Sequence, residues 1–449
     1  MARVLFGVIP VLSHVYPTIA IAQRLQDQGH AVAYACHPII APVLQRAGLD
    51  LLDGFRWGDS ILKFLHLLGT EQNRWMAIGH VIQRRLSHAG FDGLETGVAQ
   101  LIALLRSWQP DVLVSDMLFR PGPIAAEVCH LPYATSCTIA LPLPSATVPP
   151  YGFGLSPRGG PNWRWRLGAA VRLHWVERIS DKIVNRVRQK YGLPSLARTC
   201  FHASPYLFLA YTTEALEYPR PDLPPQVYFV GPCISQRRGD TDVPFPWEWL
   251  DERPVVYVSF GTINTGQRHF FDKAIAASEG QPWQTIISLG RYLDPALRGG
   301  VPRNVLLQSY VPQAELLRRT RVMVSHAGAN SVIESLAAGV PLIVAPIRHD
   351  QPENAQQVVE AGAGLRVNMR RVTVHELRMS IQCLLEDSTF RENAYRIMAD
   401  FARCNGPNTA AALVLRLAET GAPLFRPPHH RPTVYADEAT QDFSMAKPL

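Results

Sequence analysis

Long apolar runs are missing from this chain. No uninterrupted stretch of about 18 apolar residues occurs, which excludes a membrane-spanning helix. Cysteine is sparse and unpatterned. Cys36, Cys129, Cys137, Cys200, Cys233, Cys383 and Cys404 include no C-x-x-C pair, so neither a disulfide framework nor a zinc site is implied, and the reducing cytoplasm is the simplest home. The start, MARVLFGVIPVLSH, lacks the basic beginning and long apolar core of a secretion signal and reads as a first strand. No G-x-G-x-x-G follows that strand, which disfavours a nicotinamide dehydrogenase, and no fixed-period repeat marks a solenoid. Acidic residues are outnumbered, 37 against 44 Lys plus Arg, for a formal charge of +7. That suits an anionic ligand or surface but is weak evidence for nucleic acid, which is not expected as a partner.

What the chain does have is alternation. Val4–Ile9 is a short apolar run, Pro17–Gln28 has helical spacing, and Ala31–Cys36 is apolar again. Strand, helix, strand is the signal of a parallel sheet. The pattern resumes at Val98–Trp108, Asp111–Ser115, Gly122–Cys129 and Tyr133–Thr138, and Arg166–Tyr191 reads as one long helix. A second series starts at Pro254, with strands expected at Val255–Phe260, Gln284–Leu289, Val305–Gln308, Val322–Ser325 and Leu342–Ala345. Between the two series, residues 231–252 carry Gly, Pro and Asp and read as a linker. Residues 406–422 form a closing helix that can return to the first half, and 423–449 are a polar, Pro-rich tail. Two α/β halves, 1–230 and 253–405, are therefore expected to face each other across a cleft as Rossmann-like, doubly wound parallel-sheet domains.

The stretch VMVSHAGANSVIESLAAGVPLIVAPIRHDQPENA, residues 322–355, carries the chemistry. In an open parallel sheet, ligands bind beyond the C-terminal ends of strands. Ser325 ends a strand there, and Gly328 permits close backbone approach. Asn330 or Ser331 can cap the following helix, whose first free N–H groups favour an anion, and His326 can add a donor. This makes a diphosphate cradle with no Walker lysine. Glu334, one turn into the helix, can accept hydrogen bonds from vicinal hydroxyls such as those of a ribose. Asp350 and Gln351, after the next strand, can read the hydroxyls of a second sugar. Each has a plainer alternative, as a turn, a cap or a solvated helix face; the combined spacing is what argues against these.

That spacing resembles the donor-sugar signature of the family-1, GT-B-fold glycosyltransferases, in their bacterial natural-product form. The matching residues are Tyr310-Val311-Pro312-Gln313, His326-Ala327-Gly328-Ala329-Asn330-Ser331, Glu334, Gly339-Val340-Pro341, Asp350-Gln351 and Asn354-Ala355. The resemblance implies that Tyr310 stacks on uracil and Val311 holds its edge through the backbone. Gln313 and Glu334 would hold the ribose. His326, Asn330 and Ser331, with Thr262, would hold the diphosphate, and Asp350 and Gln351 the hexose. Tyr310 and Ala329 stand where plant members carry Trp. The donor implied is UDP-glucose rather than a thymidine-linked deoxysugar, with no metal and no other cofactor.

Glycosyl transfer needs a base for the acceptor hydroxyl, and a His fixed by a carboxylate suits the task. His14 follows the first strand and Asp116 follows another strand of the same half, so both are expected at one sheet edge. In the resembled family the base lies in this first loop and its partner in an S-D-M-like turn, here Ser115-Asp116-Met117. Asp111 competes for the partner role but starts its strand and should face the opposite edge. His37, His66, His80, His88 and His130 show no partner legible in sequence.

Asp240-Thr241-Asp242 matches a manganese-binding D-x-D but is read as solvated linker. The segment 158–190 interleaves Arg and Lys with Trp163, Trp165 and Trp175; it can lie on an anionic membrane, although a solvated basic helix face is the preferred reading. Apolar residues near 54–95 and 118–180, such as Phe55, Trp57, Phe64, Leu68, Trp75, Met76 and Phe119, point to a lipophilic acceptor. The competing readings are a UDP-sugar epimerase or hydrolase on the same fold, and a non-catalytic nucleotide-sugar binder.

Overall fold

The computed structural model describes residues 1–59, 93–158, 160–172, 177–199, 202–235, 237, 243–261, 267–290 and 300–427. The first sheet is built from β1 (Arg3–Gly7), β2 (Ala31–Ala35), β3 (Asp50–Leu51), β4 (Val112–Asp116), β5 (Tyr133–Cys137), β6 (Leu207–Ala210) and β7 (Val227–Phe229). The second is built from β8 (Val255–Ser259), β9 (Gln284–Ser288), β10 (Val305–Gln308), β11 (Thr320–Ser325), β12 (Leu342–Val344) and β13 (Gly364–Arg366). Every pairing among the described residues is parallel, in the orders β3-β2-β1-β4-β5-β6-β7 and β10-β9-β8-β11-β12-β13. The central strands are buried on both faces, which is why they read as continuous apolar runs rather than alternating ones.

Each order reverses once in the chain's progress. In the first sheet β1 lies between β2 and β4; in the second β8 lies between β9 and β11. The crevice at such a reversal is where an open α/β sheet binds its ligand. His14 leaves β1 and Asp116 ends β4, so both belong to the first reversal. Gly261 follows β8 and His326 follows β11, so both belong to the second.

Five helices frame these points: α1 (Leu12–Asp27), α2 (Trp163–Arg172), α3 (Ala329–Ala337), α4 (Gln351–Glu360) and α5 (Gly406–Thr420). The last of them, α5, sets Ala410, Ala411, Val414 and Leu417 into the same apolar core as Val4 and Phe6 of β1 and Val15 and Ile19 of α1. The chain thus crosses back over the gap between its halves.

Three local expectations change. β3, β6 and β13 are two, four and three residues long, too short to show a period, and are recruited by pairing with neighbours. The long helix expected at Arg166–Tyr191 is described as α2 and a second helix, Arg178–Lys190, with 173–176 outside the described residues. And α1 begins at Leu12 rather than at Pro17, so His14 sits in the first turn of a helix and not in a loop before it.

Candidate active site

Pro17 lies inside α1 and has no N–H to donate to the carbonyl four residues back, that of Ser13. That carbonyl is met from the other half of the molecule: Asn330 Nδ2 donates to Ser13 O at 3.2 Å. The helix therefore tolerates its proline because a residue of α3 supplies the missing partner. The same contact brings the start of α3 against the turn that carries His14.

His14 is buried, and its Nδ1 lies 2.7 Å from Asp116 Oδ2. The side chains are 8% and 0% exposed, so the pair is sealed from water at that end. Asp116 Oδ1 accepts from the Leu118 backbone N–H at 2.9 Å, which fixes the carboxylate. Thr138 Oγ1 is a second neighbour of Nδ1, at 3.1 Å. Sequence reasoning missed Thr138. It follows β5, beside β4, and so emerges at the same edge; its position just past a strand end was the available signal. Burial alone would lower the His14 pKa. The Asp116 charge, the hydrogen bond to it and the Asp350 carboxylate across the gap raise it, and the net direction is upward. With Nδ1 engaged by a carboxylate, Nε2 is the nitrogen left to take a proton.

The donor-side loops are held as tightly. His326 is buried between the backbones of Gly261 and Gly328: a Cβ at Gly328 would lie 2.6 Å from His326 Nε2, so no larger residue fits there. Burial pulls the His326 pKa down to about 4, against a backbone hydrogen bond to Ser259 and with help from Arg348. The ring is neutral at physiological pH and offers a hydrogen bond rather than a charge. Two non-glycine residues adopt left-handed backbone in these loops, Ala327 at φ 64° after β11 and His349 at φ 60° after β12. Such strain persists only where surrounding contacts hold it. Here Asn354 supplies them, with Nδ2 donating to Ala327 O at 2.9 Å and to Asp350 Oδ2 at 2.7 Å.

The expected caps do not form. The N-cap of α3 is Gly328, with Asn330 and Ser331 already inside the first turn, and no side chain caps it. Asn330 points to Ser13 instead. Asp350 stands at the N-cap of α4, but its side chain makes no cap hydrogen bond and accepts from Asn354 instead. Gln351 Oε1 accepts from the N–H groups of Ile347 and Arg348 at 2.8 and 3.0 Å. That spends the amide oxygen on the loop and leaves the NH₂ end for a ligand. Gln313 Nε2 donates to Glu334 Oε2 at 2.8 Å, and Tyr257 Oη donates to Gln313 Oε1 at 3.1 Å. Tyr310 stands half exposed just beyond β10, with Val311 buried next to it. Asn330, Ile333 and Glu334 line one wall of a narrow cleft; Tyr16, Thr138, Tyr211 and the linker residues Cys233, Ile234 and Ser235 line the other.

Asp111 lies at the opposite edge, as its place at the strand start implied, where Oδ2 accepts from the Arg3 N–H at 2.7 Å. His37, expected to lack a partner, has one: its Nε2 is 2.9 Å from Asp59 Oδ1. But its Nδ1 accepts from the Ile39 N–H, so both nitrogens are engaged and the pair acts as a cap, not as a base. Thr262, Asp240, Asp242, Phe64, Leu68, Trp75, Met76, Trp175, His66, His80 and His88 lie outside the described residues. In the basic segment, Arg178, Lys182, Arg186 and Lys190 form the solvated stripe expected of the second helix, while Arg188 turns inward to a two-pronged pair with Glu127 at 2.8 Å. The outward side of α2 differs: Trp163, Leu167 and Val171, one turn apart, are 68%, 56% and 41% exposed. No helix of the described residues is long and apolar enough to cross a membrane.

Two parallel-sheet domains, with a buried His–Asp pair at one reversal and an anion-ready helix start at the other, define a two-domain nucleotide-sugar transferase architecture. Comparison with known proteins agrees. Residues 174–400, just over half of the chain, match the family model described as UDP-glucoronosyl and UDP-glucosyl transferase. The chain is 28% identical over 428 residues to 4'-demethylrebeccamycin synthase of Lentzea aerocolonigenes, covering 89% of this chain and 96% of the relative. It is 25% identical over 405 residues to NDP-glycosyltransferase YjiC of Bacillus subtilis strain 168, covering 90% and 94%. Among solved structures, the glycotransferase of kitacinnamycin superposes with a TM-score of 0.74 at 23% identity over 92% of this chain and 98% of that one. The chain belongs to the UDP-glucuronosyl and UDP-glucosyl transferase family, with the GT-B fold. It is a glycosyltransferase that moves a sugar from a nucleotide sugar.

Proposed function

We propose that the protein transfers glucose from UDP-glucose to a hydroxyl of a small lipophilic acceptor, with inversion at the anomeric carbon. His14 Nε2 takes the hydroxyl proton as the acceptor oxygen bonds to C1. The C1–O bond to the diphosphate breaks, and UDP leaves with the electron pair. Asp116 keeps the imidazole in the correct tautomer and stabilises the imidazolium. Tyr310 stacks on the uracil, with Val311 at its edge; Gln313 and Glu334 hold the ribose; His326, Asn330, Ser331 and Thr262 hold the diphosphate; Asp350 and Gln351 hold the hexose. Because His326 is neutral, the leaving diphosphate is stabilised by hydrogen bonds and by the free N–H groups of α3, with Arg348 adding charge on that rim.

The observation that carries this reading is the sealed 2.7 Å pair of His14 and Asp116, set beside the Asn330 contact that brings the donor helix to the same turn. The family model names UDP-sugar transferases, and the relative YjiC is named for NDP-sugars generally. The test is therefore a screen of UDP- and TDP-sugars against a panel of aglycones, read by mass spectrometry with EDTA present throughout. Turnover of UDP-glucose with a lipophilic aglycone is expected, and His14→Ala should lower it by about 10²- to 10⁴-fold with UDP affinity retained. Undiminished turnover in that variant removes His14 as the base. Preference for TDP-sugars revises the donor, and activity restored only by manganese revises the metal-free step.

A further inference from the structure

We propose that residues 152–158 form a strap tying the acceptor side of the enzyme to the helix that bears the sugar-gripping residues, with Glu353 as the positioning residue that latches it. This rests on the transferase reading above and extends it to a residue outside the donor signature's assigned roles.

Glu353 is buried in the first turn of α4, two residues past Gln351 and three past Asp350. Its Oε1 accepts from three consecutive backbone N–H groups of the other half, Gly152 at 2.8 Å, Phe153 at 2.9 Å and Gly154 at 2.7 Å. Successive amides turned onto one oxygen form an anion nest, built here from one domain around a carboxylate of the other. The contact is close enough to demand glycine: at φ +56° a Cβ on Gly154 would lie 2.4 Å from the carbonyl oxygen of Pro352. Two turns further along the same face of α4, Glu360 Oε1 accepts from Ser156 Oγ at 2.6 Å, and from the end of β13 Arg366 Nη1 donates to Gly154 O at 3.2 Å.

The far side of the strap belongs to the acceptor domain. The Phe153 ring packs against Gly168 of α2, and Trp165 Nε1 donates to Ser156 O at 3.3 Å. A displacement of α2 by an acceptor is thereby passed through residues 152–158 to the turn that holds Asp350 and Gln351. The strap also covers the start of α4, the end nearest the hexose in the proposed site. Its loss should admit water as a rival nucleophile. In that side reaction the water oxygen bonds to C1, the C1–O bond to the diphosphate breaks, and the water proton is released through His14 to solvent, giving free glucose and UDP.

The experiment compares UDP release without acceptor and with it, using UDP-glucose or whichever nucleotide sugar the wild type turns over. Glu353→Ala and Gly154→Ala should each raise the ratio of hydrolysis to transfer at least about fivefold, and raise the acceptor KM, with UDP affinity unchanged. Glu353→Gln keeps an acceptor oxygen and should restore part of the loss. Arg158→Ala removes only the solvent-exposed ion pair of the strap's end with Glu360 and should shift the ratio less than about twofold. Folded Glu353→Ala and Gly154→Ala proteins with the wild-type ratio and KM overturn the strap. If Glu353→Ala does not fold, Gly154→Ala and Glu353→Gln decide by the same ratio. If the wild type turns over no nucleotide sugar, the donor reading fails separately. The latch is then judged by hydrogen exchange at the amides of 152–154 in Glu353→Gln: faster exchange supports it and unchanged exchange overturns it.

Discussion

Replacing Asp116 by Asn alters one atom of the proposed base pair, and the surroundings dictate the result. Asp116 Oδ1 already accepts from the Leu118 N–H. An Asn that keeps this bond must turn its NH₂ toward His14 Nδ1. Two donors then face each other unless the imidazole moves its proton to Nε2, where it blocks proton abstraction. The opposite rotamer would set the NH₂ against the Leu118 N–H and leave a buried donor unmet, at a cost of about 1–3 kcal/mol. The charge is lost in either case. Opposite charges about 4 Å apart at an effective dielectric of about 20 attract by about 4 kcal/mol. At 1.36 kcal/mol per decade of rate, that is about three decades of imidazolium stabilisation. A fall in kcat of about 10²- to 10⁴-fold is expected. The pH profile should shift in a defined direction. Wild-type activity rises with pH as His14 loses its proton, at a pKa held above the ordinary histidine value against burial by Asp116. Removing the carboxylate leaves burial dominant, so the residual activity should rise at lower pH than in the wild type. The assay is the initial rate of UDP release between about pH 5 and 9, the range over which histidine titrates. His14→Ala combined with Asp116→Asn should be no slower than His14→Ala alone, because the two act as one unit. A variant keeping a third of wild-type kcat, an acid limb displaced upward, or additive losses would each refute the reasoning.

Asn330 and Pro17 should be coupled. In the wild type, Asn330→Ala strips the Ser13 carbonyl of its partner and should lower kcat about two- to tenfold beyond any change in UDP affinity; with Pro17→Ala, which returns an intrahelical N–H to that carbonyl, the kcat loss should shrink. An equal loss in both backgrounds, measured by steady-state kinetics and UDP calorimetry, would end this account. In segment 158–190 a solvated basic face is the preferred reading, with Arg164 and Arg166 exposed on α2. Flotation with vesicles of anionic phospholipid should therefore leave the protein behind; recovery with the vesicles, lowered by Trp163→Ser with Leu167→Ser, would refute that reading.

The sequence by itself determined the two parallel halves and which edge of each carries the candidate site. Apolar runs mark strands buried on both faces, and the chain leaves each strand at its C-terminal end whatever the rest of the fold does. His14, Asp116, His326 and Asp350 were legible for that reason, each lying at or just beyond a strand end. Only the tertiary structure decided what those residues touch. It brought Thr138 to His14 across 124 residues, turned Asn330 away from its own helix to a carbonyl that a distant proline had left unmet, and wrapped three amides of one half around Glu353 of the other. Local periodicity reports which face of an element is buried. It says nothing of which buried polar group will answer another, because that pairing is set by how two domains close on each other and by the cost of leaving either group unmet.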